Sequence, residues 1–185
     1  TSTIVSVQNS LSCGIPNRFG NDAQKEEWLK PLARGEKLGC FCLTEPHVGS
    51  DAAAIRTTAV RDGDHYVING VKQFITTGKY ADVAIVFAVT DKAAGKKGIS
   101  CFLVPADTPG YSVARIEEKM GLHGSPTCVM RFDDARGWIV GAPGKGLAAM
   151  FVMMNAARLH VALQGIGLLD AAWQKADAYS KERRQ

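Results

Sequence analysis

IRTTAVRDGDHYVINGVKQFIT (residues 55–76) decides the fold class of this chain. Ile55 to Arg61 reads as one strand. Asp62-Gly63 supplies a tight turn, and His65 to Ile68 reads as a second strand. Asn69-Gly70 is a strong hairpin signal, because both residues tolerate positive φ. Val71 to Thr76 is then the third strand of a meander. Outward from it, strands are predicted at Val83–Val89, Ile99–Val104, Ser112–Ile116 and Thr127–Phe132. Turn residues part them at Gly95, Pro105–Pro109 and Gly121–Pro126. Short strands at this spacing predict an antiparallel barrel or sandwich over residues 38–141.

The flanks have a different period. Over residues 1–37, Ile4, Val5, Val7 and Leu11 read as the end of a helix. Gly14, Pro16 and Gly20 mark a loop. Asp22 is predicted to cap a second helix bearing Trp28, Leu29 and Leu32, which Pro31 bends or ends and Gly35 closes. Over residues 142–185 no proline follows Lys145. Leu147, Phe151, Met154, Val161, Leu168 and Trp173 recur mostly at helical spacing. Some forty residues of helix span roughly 60 Å. Gly165, Gly167 and a run of alanines predict close approach by other helices. The fold class is therefore α+β: N-terminal helices, a β-domain, and one long helix from an incomplete bundle. Nothing in the sequence after that helix can partner it, so the expectation is a piece of a longer protein, or one completed by other polypeptide.

Composition is that of an ordinary globular chain: 185 residues, 46% hydrophobic and 22% charged, with net charge +4. Neither disorder nor a nucleic-acid-binding surface follows from it. The five cysteines are odd in number and lack metal-ligand spacing, and most lie in apolar runs. They predict a reducing, cytosolic compartment over a disulfide framework. No signal peptide opens the chain, and no run reads as a membrane span.

Four groups of residues carry candidate chemistry. Phe41 to Asp51 begins as an apolar strand and leaves through a turn holding Gly49 and Ser50. There, backbone N–H groups and the Thr44 hydroxyl suit the polar edge of a flat heterocycle. An Asp/Ser-rich strand exit is an equally good reading. Phe74 and Thr76 share a strand face by the two-residue period. They can pack against and hydrogen-bond a flavin ring, although ordinary strand packing explains them more simply. Asn155 and Arg158 share a helix face. Arg158 meets either a carboxylate within a bundle, the simpler reading, or the polar end of a ligand. Lys181, Arg183 and Arg184 either complement the helix dipole or meet a phosphate. Other patterns fail. Gly144-Lys145-Gly146 is not a phosphate loop, and no GxGxxG follows a strand. The four histidines are isolated, and His123-Gly124-Ser125 is no nucleophile elbow.

Taken in order, CFCLTEPHVGSD (40–51), INGVKQFITTG (68–78), TDKAAGKKGISCFLVP (90–105) and KMGLHGSPTC (119–128) resemble the flavin-dependent acyl-CoA dehydrogenase family. The resemblance covers nearly the whole chain. Its long helix, MFVMMNAARLHVALQGIG (150–167), is similar to that of bacterial members with an enlarged C-terminal part, such as those acting on 3-methylthiopropionyl-CoA. The resemblance implies the end of an N-terminal helical domain (1–37), a middle β-domain (38–141) and the start of a C-terminal helical domain (142–185). It implies FAD held by Phe41, Leu43, Thr44, Gly49, Ser50, Phe74 and Thr76, many relatives having tryptophan in place of Phe74. Arg183 matches an arginine that reaches the flavin pyrophosphate of a neighbouring subunit. Ser50, Asn155 and Arg158 match positions on the acyl-CoA substrate, many relatives having aspartate in place of Asn155. The implied reaction is α,β-dehydrogenation, with electrons passing to electron-transfer flavoprotein. A homodimer or homotetramer in the bacterial cytoplasm is implied, with no nucleic acid. The catalytic glutamate is expected beyond Gln185, since the helix position that carries it in a minority of relatives is Ala157. An acyl-CoA oxidase-like flavoprotein, or a non-catalytic flavin-binding relative with a structural or nucleic-acid role, are the alternatives.

Overall fold

The computed structural model describes residues 2–184; Thr1 and Gln185, the outer ends of the first and third predicted regions, lie outside them. The chain opens with α1 (Ser2–Val7), which widens into a π turn at Gln8–Ser12, and α2 (Gly14–Phe19). Next come α3 (Asp22–Gln24), a π turn at Lys25–Leu29 and α4 (Lys30–Arg34). Asn21 is the cap of α3, one residue before the predicted Asp22. Its carboxamide oxygen accepts the Gln24 N–H at 2.8 Å, and the Gln24 side chain accepts the Asn21 N–H at 3.2 Å. That reciprocal pair satisfies two N-terminal donors at once, which Asp22 is not placed to do. Pro31 does not end its helix: the chain stays helical from Asp22 to Arg34, and the π turn at Lys25–Leu29 just before Pro31 interrupts the α-helical ladder there. Gly35 ends α4 in the left-handed conformation at φ 73°.

Seven strands follow: β1 (Gly39–Cys42), β2 (Thr58–Asp62), β3 (His65–Thr76), β4 (Val83–Val89), β5 (Ile99–Pro105), β6 (Tyr111–Ile116) and β7 (Thr127–Val140). β4 pairs β5, β5 pairs β7, β7 pairs β3 and β3 pairs β2, all antiparallel. β2 returns to β4 through the single parallel pair Thr58↔Val89. The sheet thus folds over on itself as a sandwich. β6 lies along β7, and β1 lies parallel to β4. The two parallel contacts depart from the all-antiparallel expectation. They are open to β1 and β2 because long connections, not hairpins, lead from each to β4.

Period-2 alternation builds two cores from the same strands. Ala84, Val86 and Ala88 of β4, with Phe102 and Val104 of β5, face the interior of the folded sheet beside Ile68, Ile75, Met130 and Phe132. Val83, Ile85 and Phe87, with Ile99, Cys101 and Leu103, face the helices and meet Ile15, Trp28, Leu32, Met150 and Met153. β4 and β5 are therefore covered on both faces and read as continuous apolar runs.

Three strand boundaries move. Ile55 is buried but precedes β2, following the tight 3-10 turn Ala52–Ala54. Asn69-Gly70 is not a hairpin: β3 runs unbroken through it, with a register shift against β7. The reason is tertiary. The Asn69 side chain donates to the Asp134 carboxylate and accepts the Asp134 N–H, both at 2.9 Å. Gly70 sits at φ 155° against Thr57, where a Cβ would come within 2.4 Å of the Thr57 hydroxyl oxygen. A dipeptide suited to positive φ is used here for a bulge and a close approach. β7 likewise runs on to Val140, past its expected end at Phe132.

The last element is α5 (Gly146–Glu182). Its first turns bury Ala149, Met150 and Met153 against the outer core. Beyond them Leu159, Val161, Leu163, Ile166, Leu168, Leu169 and Trp173 are exposed. Open space surrounds Gly165 and Gly167. One 18-residue window reaches a mean hydropathy of 1.4, long and apolar enough by length and composition alone to cross a membrane.

Candidate functional site

The 41–51 segment and the end of β3 lie side by side, joined through the bulge in β3. Lys72 pairs with Met130 and Ile75 with Cys128, so two residues of β3 stand opposite one of β7. Lys72 and Ile75 both point inward as a result, and Phe74 is turned out at φ 60° with 58% of its surface exposed. An aromatic residue held in the left-handed region stores roughly 1–3 kcal/mol of strain, a feature concentrated at functional sites. The strict two-residue period that would set Phe74 and Thr76 on one face is interrupted by this bulge, yet both end on the outer side. Thr76 is half-buried beside Thr127.

Opposite them, Phe41 lies on the outer face of β1 and packs on Phe87, ring centroids 5.2 Å apart. Phe41 and Leu43 border the same apolar cluster as Met154 and Ala157 of α5. Thr44 is half-buried, and its carbonyl accepts the Gln73 N–H at 2.8 Å. Gly49 and Ser50 stand exposed in the loop beyond, which Val48 anchors through a reciprocal backbone pair with Glu45. Asn155 and Arg158 are exposed on α5, the guanidinium donating to the Asn155 carboxamide at 3.5 Å. Arg183 follows the helix as its C-terminal cap. Twenty-eight residues separate it from Asn155, roughly 40 Å of helix. The fold thus gathers Phe41, Leu43, Thr44, Phe74 and Thr76, with Gly49 and Ser50 at the rim. It does not bring Arg183 to them.

Two residues outside the predicted set hold this arrangement. Lys72 is fully buried, and its ammonium donates to Glu45 Oε1 at 2.9 Å and to the Leu43 carbonyl at 3.0 Å. Glu45 is also buried and accepts the backbone N–H groups of Arg56 at 2.7 Å and Thr57 at 3.0 Å. The sequence did carry a signal for this pair. Ile68, Gly70 and Lys72 share an inward phase, and a lysine on a buried face needs a carboxylate. Burial pushes the Glu45 carboxyl up, but Lys72 and the donors of Thr57 and Arg56 outweigh it and hold it below the usual carboxylate range. Burial pulls the Lys72 ammonium down, partly opposed by Glu45. A carboxyl depressed on folding stabilises the fold above its unfolded pKa and loses that contribution as pH falls through its folded value. Acid titration from about pH 5 downward is therefore expected to destabilise the chain more steeply in the wild type than in Glu45→Gln, read as thermal midpoint against pH.

Among the described residues no cluster of metal-ligating side chains occurs. The five thiols are free and buried, burial raising Cys101 to about 12, so none is set up as a nucleophile. What remains is the apolar pair Phe41 and Leu43 on one segment and the exposed Phe74 on the strand bonded to it, with hydroxyls at Thr44, Ser50 and Thr76. The buried Thr77 hydroxyl next to them lacks a partner. A planar, partly polar ring matches that donor set.

The chain is similar to known proteins of one family. Residues 40–135 match the family model "Acyl-CoA dehydrogenase, middle domain", and residues 1–36 match "Acyl-CoA dehydrogenase, N-terminal domain". The short-chain specific acyl-CoA dehydrogenase of Clostridium acetobutylicum is 41% identical over 188 residues, covering 100% of this chain and 50% of that protein. The solved butyryl-CoA dehydrogenase of Megasphaera elsdenii is 41% identical with a TM-score of 0.88, covering 100% of this chain and 49% of that one. A glutaryl-CoA dehydrogenase of Mycobacterium smegmatis, solved in complex with FADH2, is 40% identical with a TM-score of 0.83, covering 99% and 47%. The chain spans about half the length of the curated relatives it matches.

Proposed function

The chain belongs to the acyl-CoA dehydrogenase family, and on that premise we propose that it is the flavin-cradling part of an enzyme that desaturates a short-chain acyl-CoA thioester between Cα and Cβ. The observation that carries this is the junction of the 41–51 segment with the bulge in β3, where the Gln73 N–H bonds the Thr44 carbonyl next to the strained, exposed Phe74. FAD bound there would accept the two electrons and the β-hydrogen of the substrate. Phe41, Leu43 and Phe74 exclude water from its ring, while Thr44, Thr76 and the N–H groups of Gly49 and Ser50 meet its polar edge. Ser50, Asn155 and Arg158 meet the CoA moiety, Arg158 already oriented by its contact with Asn155. Arg183, far along α5, reaches the pyrophosphate of a flavin in a neighbouring subunit of a dimer or tetramer. Electron-transfer flavoprotein takes the electrons onward, in the bacterial cytoplasm. The exposed apolar face of α5 is covered by further helices of the complete enzyme.

Removing the α-proton needs a carboxylate with a free oxygen at the thioester. Glu45 does not qualify, because Lys72 and two backbone N–H groups occupy it, and Ala157 offers none. We assign the base to the portion of the relatives that this chain does not span. The test is the full-length protein with butyryl-CoA and oxidised electron-transfer flavoprotein. Enoyl-CoA formation coupled to reduction of that acceptor is expected, and no turnover from the 185-residue chain alone. Oxygen consumption in place of acceptor reduction would assign the oxidase-like alternative. Salt-sensitive DNA binding without turnover would assign the non-catalytic one.

A further inference from the structure

Three successive residues of the flavin-facing segment are tied to two successive residues of β3. Lys72 holds the Leu43 carbonyl and the Glu45 carboxylate, and the Gln73 N–H holds the Thr44 carbonyl. Glu45 is tied in turn to the backbone of Arg56 and Thr57, which closes the base of the loop carrying Gly49 and Ser50. With the flavin reading above as premise, we propose that the buried Lys72–Glu45 pair is a positioning device for the cofactor cradle. It sets the spacing between the segment bearing Leu43 and Thr44 and the strand bearing Phe74 and Thr76.

The physical case begins with cost. Side chains 0% and 2% exposed have lost nearly all their hydration. A well-packed apolar pair of the same volume would serve stability as well or better. What an ion pair adds is direction. The ammonium has acceptors at 2.9 and 3.0 Å on two residues of one segment. A one-residue slip of either segment would break both contacts and strand a charge in the interior. Apolar partners would tolerate that slip.

The second element is the bulge. Lys72 is the last inward residue before it, and Ile75 the next. Anchoring Lys72 fixes the phase at which Gln73 and Phe74 are turned outward, and thus the left-handed placement of Phe74. His47 stands 3.6 Å from the far oxygen of Glu45, so the acceptor is enclosed from the loop side as well. Neither charge faces the cradle, so the pair acts through the residues it holds.

The experiment uses the full-length protein and free FAD. In K72M/E45Q both charges go, and the glutamine oxygen keeps one of the two N–H groups that Glu45 takes on separate oxygens. Its thermal midpoint is expected below that of the wild type with a cooperative transition retained, with the Kd for FAD raised about tenfold or more and the visible absorption band of bound flavin altered in shape. K72R keeps the charge but displaces it, and the same two flavin changes are expected, so the idea stays testable even where the double variant does not fold. Unchanged Kd and band shape in a folded variant would overturn the positioning role alone. A wild type that binds no FAD would overturn both this role and the flavin reading.

Discussion

Lys72→Ala is expected to lower the unfolding free energy by about 3–5 kcal/mol, the cost of removing one partner from a buried ion pair. Glu45 keeps its bonds to the Arg56 and Thr57 N–H groups but loses its only ion-pair partner among the described lysines and arginines. Its charge then stays in the interior, or it takes up a proton at neutral pH; either way stability falls. The Leu43 carbonyl loses its side-chain donor too, and a cavity the size of three methylenes and the ammonium opens between β1 and β3. The measurement is urea unfolding followed by tryptophan fluorescence. Adding Glu45→Gln to Lys72→Ala is expected to recover part of the loss, because the stranded charge is then gone. A double variant no more stable than Lys72→Ala would mean that packing, and not charge, carries the effect.

Phe102→Ala should cost a similar amount, about 3–5 kcal/mol, for a different reason. Phe102 is fully buried inside the folded sheet, its ring 4.9 Å from that of Tyr66 and tilted by 57°. Val86 faces it across the β4–β5 pair, and Ile139 across the β5–β7 pair. These strands are bonded on both edges and covered on both faces, so they cannot close in to fill the void. The loss should appear as a lower urea midpoint with an unchanged slope. Phe102→Leu, which returns most of the volume, should lie between the two. A loss below about 1 kcal/mol for the alanine variant would show that the interior collapses and that the sheet is less closed than its pairing indicates.

Much of this molecule was legible from sequence because it depends on short-range pattern. β4 was read at its full extent, Val83–Val89, and β5 to within one residue, since both are continuous apolar runs bounded by turn residues. The helical period after Lys145 marked α5 nearly to its ends. The apolar start of the motif 40–51 marked β1, and its polar end the loop that follows, because its residues are contiguous.

Two failures are local: Asn21 and not Asp22 caps α3, and Gly14–Phe19 is a helix where a loop was expected; the others are long-range. Asn69-Gly70 has hairpin chemistry, but a partner 65 residues away in sequence turns it into a bulge. Phe74 looked like an ordinary member of an alternating strand, and only pairing with β7 inserts the extra residue that turns it outward. Lys72 and Glu45 were not singled out, since the partner that the inward phase of Lys72 demands lies 27 residues away in sequence. Local propensity and hydrophobic period act over a few residues, so the sequence by itself determined the α+β class, the two continuous apolar strands β4 and β5, the long helix and the family. Which strand neighbours which, where the register slips and which two charges meet in the interior depend on contacts between segments tens of residues apart. The tertiary structure alone decided those, by burying the Lys72 ammonium and the Glu45 carboxylate 2.9 Å apart, where each charge needs the other.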